Sequence, residues 1–314
     1  MTDSRTPSPR ALPLLLGVLL VTGATGAWWL DSARPVPPDE VVRADAWLRT
    51  EAMLGTPVPG PAPAERRADV RADLTRQLEA LGPAPDDRTS AAARARHPSP
   101  ADARDPGTTA SGALRTTATA LAEDALTAED PALARVLAAA AVSRETAARQ
   151  LDGPEPPAPD GTDLCDAAGE PAPGGTTAPG AVLWSALDRA DYAFEALAAR
   201  AGALPPGSAE LLARGRQDVE DLLEAPSARQ VLAAEPGLPA GAYVLPGDVR
   251  EHPGRVAATA ARDVQEAAAH VLARGDAGTR CWALVALERA TGLRAGLTGD
   301  VDALPGVVRD EPSP

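Results

Sequence analysis

Two stretches of the chain say nearly the same thing. Ala64–Ala80 reads AERRADVRADLTRQLEA, and Ala209–Ala225 reads AELLARGRQDVEDLLEA. At this offset of 145 positions, eight of the seventeen residues agree, from Ala64/Ala209 through Asp73/Asp218 to Ala80/Ala225. Chance in so alanine-rich a chain gives roughly two. The same offset carries Arg135, Ala138, Ala141, Arg144, Thr146 and Arg149 onto Arg280, Ala283, Ala286, Arg289, Thr291 and Arg294. One residue further off, Arg43-Ala44-Asp45 recurs as Arg189-Ala190-Asp191. These matches read as two tandem four-helix units in which the first, second and fourth helices correspond in order and the third helices match poorly; coincidence between Ala/Arg/Glu-rich helices is the alternative.

The pattern inside the repeat sets the kind of module. Val70, Leu74, Leu78 and Leu81 fall on one face of a 3.6-residue period. Periodicity predicts eight helices: Asp39–Gly55, Ala64–Leu81, Thr109–Thr127, Asp130–Leu151, Ala181–Ala203, Ser208–Leu223, Gly254–Arg274 and Ala277–Leu297. Inward stripes are expected at Val41, Ala44, Leu48 and Ala52; at Leu114, Ala118, Leu121 and Ala125; and at Leu133, Val136, Leu137, Ala140 and Ala141. Asp130 before Pro131 is an N-cap followed by proline at the first helical position, and Ser208 reads as another N-cap. No alternating strand pattern occurs. Ala and Leu are the best helix formers, whereas strands want aromatics and β-branched residues. Aromatics make up only 3% of this chain, and it has no Ile. The expected fold is all-α: an N-terminal membrane anchor followed by two tandem four-helix bundles, at 35–151 and 181–306.

Between the helices lie blocks rich in Pro and Gly. Gly82–Gly107 reads as a polar, mobile connection and Asp152–Gly180 as the linker joining the two units. Residues 307–314 form a tail.

Ala11–Leu30 carries no charge over 20 residues, about the length that spans a bilayer. Arg5 and Arg10 precede it, Asp31, Asp39 and Glu40 follow it, and Trp28 and Trp29 mark its outer end. The positive-inside rule then puts the bulk of the chain outside the cytoplasm, held to the cell membrane by one pass through residues 11–30. The alternative is secretion after cleavage near Ala27. The only cysteines are Cys165 and Cys281. In an exported chain such a pair reads most simply as a disulfide, closing a loop worth roughly 4–5 kcal/mol of unfolded-state restriction; two buried free thiols are the alternative.

Net charge is −14, and every one of the 30 basic residues is Arg. The arginines are interleaved with acids rather than clustered, which argues against nucleic acid as a partner. Ser185 and Ser208 have no evident His partner and no Gly-x-Ser-x-Gly occurs, so no catalytic residue is assigned. Trp47, Trp184 and Trp282 read as core fillers.

The second half resembles a ferritin-like family of unknown function found in envelope proteins of high-GC bacteria. The residues that carry the resemblance are Ala181–Gly202, Gly241–Pro246 (GAYVLP), Gly254–Gly275, Cys281–Gly292 and Asp302–Gly306. Leu133–Leu151 is similar to the region preceding that domain. The resemblance implies four helices with a loop between the second and third. It also implies a Glu-His pair in the first helix, where this chain has Ala190 and Asp191, a departure that weakens any metal role.

A carboxylate-bridged metal centre would need inward Glu residues with Glu-x-x-His on two helices, and this chain has no Glu-x-x-His. Glu266 and His270 are four residues apart, as are Asp191 and Glu195. With Glu288 these are the weak metal candidates, and their donor set would suit iron, manganese or zinc; ordinary polar pairs on solvated faces are the simpler reading, and no cofactor is expected. The function expected is that of a non-enzymatic binding or scaffold module of the envelope, with an envelope protein or a cell-wall component as its partner. The alternative is a metal-binding or redox protein with a degenerate ferritin-like site.

Overall fold

The structure, a computed structural model, describes residues 35–55, 63–96, 109–152, 178–199, 207–238, 243–245, 249 and 251–307. Among them are ten helices and no strand: α1 (Pro38–Leu54), α2 (Ala64–Ala80), α3 (Asp87–Arg96), α4 (Ala110–Thr127), α5 (Pro131–Asp152), α6 (Ala178–Ala198), α7 (Ser208–Glu224), α8 (Pro226–Ala234), α9 (Pro253–Arg274) and α10 (Ala277–Thr298). The fold is all-α. No helix among the described residues is long and apolar enough to cross a membrane. The expected anchor, residues 11–30, lies outside the described residues, as do Cys165 and most of the linker.

Local chemistry starts the helices. Asp130 caps α5 by accepting from the Ala132 N–H at 2.8 Å, and Asp276 caps α10 by accepting from the Thr279 N–H at 2.9 Å. Ser208 does not cap α7. The cap is Gly207, at φ 83°, and Ser208 is the first helical residue.

Two helices stand where none was expected. Inside the Gly82–Gly107 connection, the Asp86 carboxylate accepts the Thr89 N–H at 2.7 Å and starts α3. Ala93 then buries completely, and Arg96 reaches the Asp124 carboxylate on α4 at 2.6 Å. After α7, Pro226 at the first turn starts α8, which buries Ala228 and Val231. The expected boundaries also shift. α6 ends at Ala198 rather than Ala203, and Asp152 and Ala178–Gly180, read as linker, are helical.

α6, α7, α10 and α9 pack as a closed ring, each against the next. In the first half α4 lies along α5, as α9 lies along α10 in the second. α5 also packs on α9 and α10, and it buries 13 of its 22 residues. Its alanines permit this, because only small side chains let helices approach on several faces at once. One apolar core therefore runs continuously from Val42 and Leu137 in the first half to Phe194, Leu272 and Leu287 in the second. A satellite cluster joins Val70, Leu74, Leu114, Ala147 and Ala148.

The interior of the first half is the more polar. Val42, Ala46 and Thr50 form the buried face of α1, with Asp45 beside them, while the expected Val41, Leu48 and Ala52 are only half-buried. Thr50, Gln77, Ser143 and Arg144 are all essentially inaccessible.

The segment after α10 ties the halves together. Gln77 on α2 donates to the Ala303 carbonyl at 3.1 Å, and Arg294 pairs with Asp302. Asp73, facing this segment, ion-pairs with Arg76 at 2.9 Å, yet its carboxyl is pushed up to about 6. Burial is the main cause; Arg76 opposes it, and Asp69 and Asp302 add repulsion. A carboxyl raised in the folded state loses stability as pH climbs from its unfolded value, near 3.9, through 6. Asp73→Asn is therefore expected to stabilise by about 1–2 kcal/mol at pH 7.5, discounted for partial exposure, with the gain absent below about pH 4. Urea midpoints at the two pH values check this; an equal effect at both would show that charge is not the cause.

Candidate functional site

α6 and α9 carry their apolar faces into the ring and leave their outer faces to frame an open groove of about 680 Å³. On α6, Val182, Ser185, Arg189 and Tyr192 recur at helical spacing and form one outward stripe. Opposite, α9 contributes Asp263, Glu266, Ala267 and His270, and Leu238 closes one side. Tyr243 extends the α6 wall: its hydroxyl donates to Asp188 at 2.6 Å, its ring lies 5.8 Å from that of Tyr192, and Arg189 sits 5.7 Å over its face.

Among the described residues, the exposed large hydrophobics are Val182, Tyr192 and Val244. Val182 and Tyr192 lie on the α6 stripe, and Val244 follows Tyr243. An exposed apolar residue lining an open groove, as Val182 does, marks an interaction surface more than one scattered singly. The charges are divided: Arg189 stands on the α6 side, Asp263 and Glu266 on the α9 side. Inside the ring the space is small. The void enclosed by Leu187, Phe194, Val219 and Leu293 is about 10 Å³, the scale of a single water.

The five candidate metal ligands do not meet. Glu266 and His270 share the groove, as their spacing required. Glu266 is exposed and pairs with Arg262 at 3.5 Å. His270 lies 2.8 Å from Arg274, and burial, then the Arg274 and Arg135 charges, push its pKa below the ordinary value. Asp191 turns toward α7, where Arg216 sits 3.4 Å away; burial raises its carboxyl, with Arg216 opposing. Glu195 is exposed. Glu288 faces the first half and pairs with Arg149 on α5. The reason is geometric. Val264, Ala268, Val271 and Leu272 claim the inner face of α9, so its Glu-His pair must point out. Among the described residues no group of three or more His, Cys, Asp or Glu is placed to hold a metal ion.

The tryptophans fill the core as expected. Trp184 and Trp282 are each 5% exposed, and Trp47 packs partly buried against the same core. Cys281 is buried on α10.

The sequence reading missed the groove. Its signal was present in the polar-apolar alternation of the α6 stripe, but which face of α6 stays open depends on where α9 and α8 pack. No protein-family model, curated protein or solved structure matches the chain.

Proposed function

We propose that the chain is a membrane-tethered, extracytoplasmic scaffold of the cell envelope that docks a protein partner in the α6–α9 groove. In this reading residues 11–30 are the tether. Two tandem ferritin-like units form the body, and a Cys165–Cys281 bridge fastens the linker to the second of them. The observation that carries the docking role is an open groove lined by the exposed Val182 with Arg189 on one wall and Asp263 and Glu266 on the other, with Tyr192 exposed further along the same α6 stripe.

That division names the partner's chemistry. A helical protein segment suits the groove when its apolar side meets Val182, an acid faces Arg189 and a base faces Asp263 and Glu266. Helix-in-groove recognition works in this way, with spaced apolar anchors and flanking charges setting the register. A neutral glycan would make no use of the division of charge between the two walls.

The test is photo-crosslinking in intact cells from position 182, compared with position 79 on α2. One dominant protein adduct from position 182, identified by mass and lost on Arg189→Glu, is expected. Equal, diffuse labelling from both positions would sink the docking role. Independently, protease added outside spheroplasts is expected to remove a C-terminal tag, and a protected tag would overturn the extracytoplasmic placement.

A further inference from the structure

Arg144 is a buried cation without a counter-charge among the described residues. It is 1% exposed. Its Nε donates to Gln77 Oε1 at 2.9 Å and its Nη2 to Thr50 Oγ1 at 2.5 Å, both neutral acceptors. Its Nη1 points at the Met53 sulfur, 3.9 Å away. Burial, with the Arg49 charge adding to it, pushes this guanidinium down to about 9. A guanidinium offers five N–H donors, and a buried donor left without a good acceptor is costly.

The acceptor this site holds is a poor one. Met53, near the end of α1, is half-buried. Its sulfur is approached from two sides, by Arg144 on α5 and by the Thr117 hydroxyl on α4 at 3.3 Å, whose proton the Leu114 carbonyl also attracts at 3.0 Å. A thioether is only a weak hydrogen-bond acceptor. Oxidation to the sulfoxide replaces it with a polar S=O group. In an ordinary core that change inserts an unpaired dipole and destabilises. Here two donors already converge on the sulfur. Met53, with three rotatable bonds and partial exposure, can withdraw to place the new oxygen about 2.8 Å from both.

We propose that Met53 is a reversible oxidation site whose sulfoxide oxygen is received by Arg144 and Thr117, fastening α1 to α4 and α5. The oxidant class is a hydroperoxide. A sulfur lone pair attacks one peroxide oxygen, the S–O bond forms and the O–O bond breaks. Sulfur loses two electrons, the peroxide is reduced, and with hydrogen peroxide the other oxygen leaves as water. A thiol-dependent sulfoxide reductase reverses the step, taking two thiols to a disulfide and releasing water. The proposal is independent of the groove and of its partner.

Met1 and Met53 are the only methionines, so the test is clean. The full-length chain is treated with dilute hydrogen peroxide, mapped by peptide mass and melted before and after. One oxygen on Met53 with a rise in Tm of several degrees is expected, undone by a mixture of both sulfoxide reductases. Met53→Leu is expected to show no peroxide-dependent rise. Arg144→Leu and, should that variant not fold, Thr117→Val are expected to shrink or reverse the rise. A Tm that falls or stays level once Met53 is oxidised would overturn the proposal. So would an unmodified Met53 under conditions that oxidise Met1 fully.

Discussion

Gly306→Ala is expected to cost roughly 3 kcal/mol and to lower the melting midpoint by about 6–12 °C. Gly306 stands at φ +74°, where a side chain is strained whatever the space around it. A Cβ there would sit 2.3 Å from the Gln265 carbonyl oxygen and 2.9 Å from the Ala269 Cβ. The first of these is α9 backbone and cannot rotate away. Gly299 is the control: its φ is +82°, but nothing lies within 4 Å of the Cβ position. Gly299→Ala should cost only about 1 kcal/mol, the conformational part alone. The difference isolates the seating of the C-terminal segment on α9. That segment also takes a hydrogen bond from Gln77 on α2, so it links the halves. Equal costs at the two glycines, read by urea unfolding, would show that the segment does not rest on α9.

The helices were legible because their apolar stripes survive in sequence: Leu114, Ala118, Leu121 and Ala125 are all buried as their spacing requires. α1 was read only in part: Ala44 is buried as expected, but Val41, Leu48 and Ala52 are not, because the buried face also takes in the polar Asp45 and Thr50. Thr50 bonds the Ala46 carbonyl at 2.7 Å and receives Arg144, a use of a polar residue that periodicity of hydrophobic residues does not reveal. α3 was missed for a related reason. A run of Ser, Ala and Arg inside a Pro-rich block looks like a linker until one sees Asp86 capping it and Asp124 waiting for Arg96.

The repeat carried further than the motifs did. Arg280 donates to the Ala128 carbonyl at 2.7 Å, in the turn after α4. Its counterpart Arg135 lies close enough to His270 near the end of α9 to act on its titration. Both arginines thus lie in the first turns of their helices, but in different surroundings. The metal candidates show the opposite case. Spacing four apart correctly put Glu266 with His270, but spacing within a helix says nothing about which neighbour that face meets. The packing of α9 against α6, α5 and α10 decides it, and that packing rests on distant alanines.

Trp282→Ala is expected to cost about 4 kcal/mol, the usual range for emptying a buried indole site. The informative variant is Trp282→Phe, set against Trp184→Phe. Both indoles are 5% exposed, so the apolar area lost is comparable. Their polar ends differ. Trp282 Nε1–H donates to the Leu222 carbonyl at 3.0 Å, near the end of α7, where carbonyls run out of helical partners. The Ala225 N–H reaches the same oxygen only at 3.4 Å. Trp184 Nε1 has no partner among the described residues. Trp282→Phe should therefore cost roughly 2 kcal/mol, because it leaves the Leu222 carbonyl with only the long Ala225 contact as well as removing area, while Trp184→Phe should cost about 1. Urea midpoints at constant m measure both. If Trp184→Phe proves the more damaging, the α7–α10 contact is not held by this hydrogen bond, and the α6 end of the ring would be where the second half draws its stability.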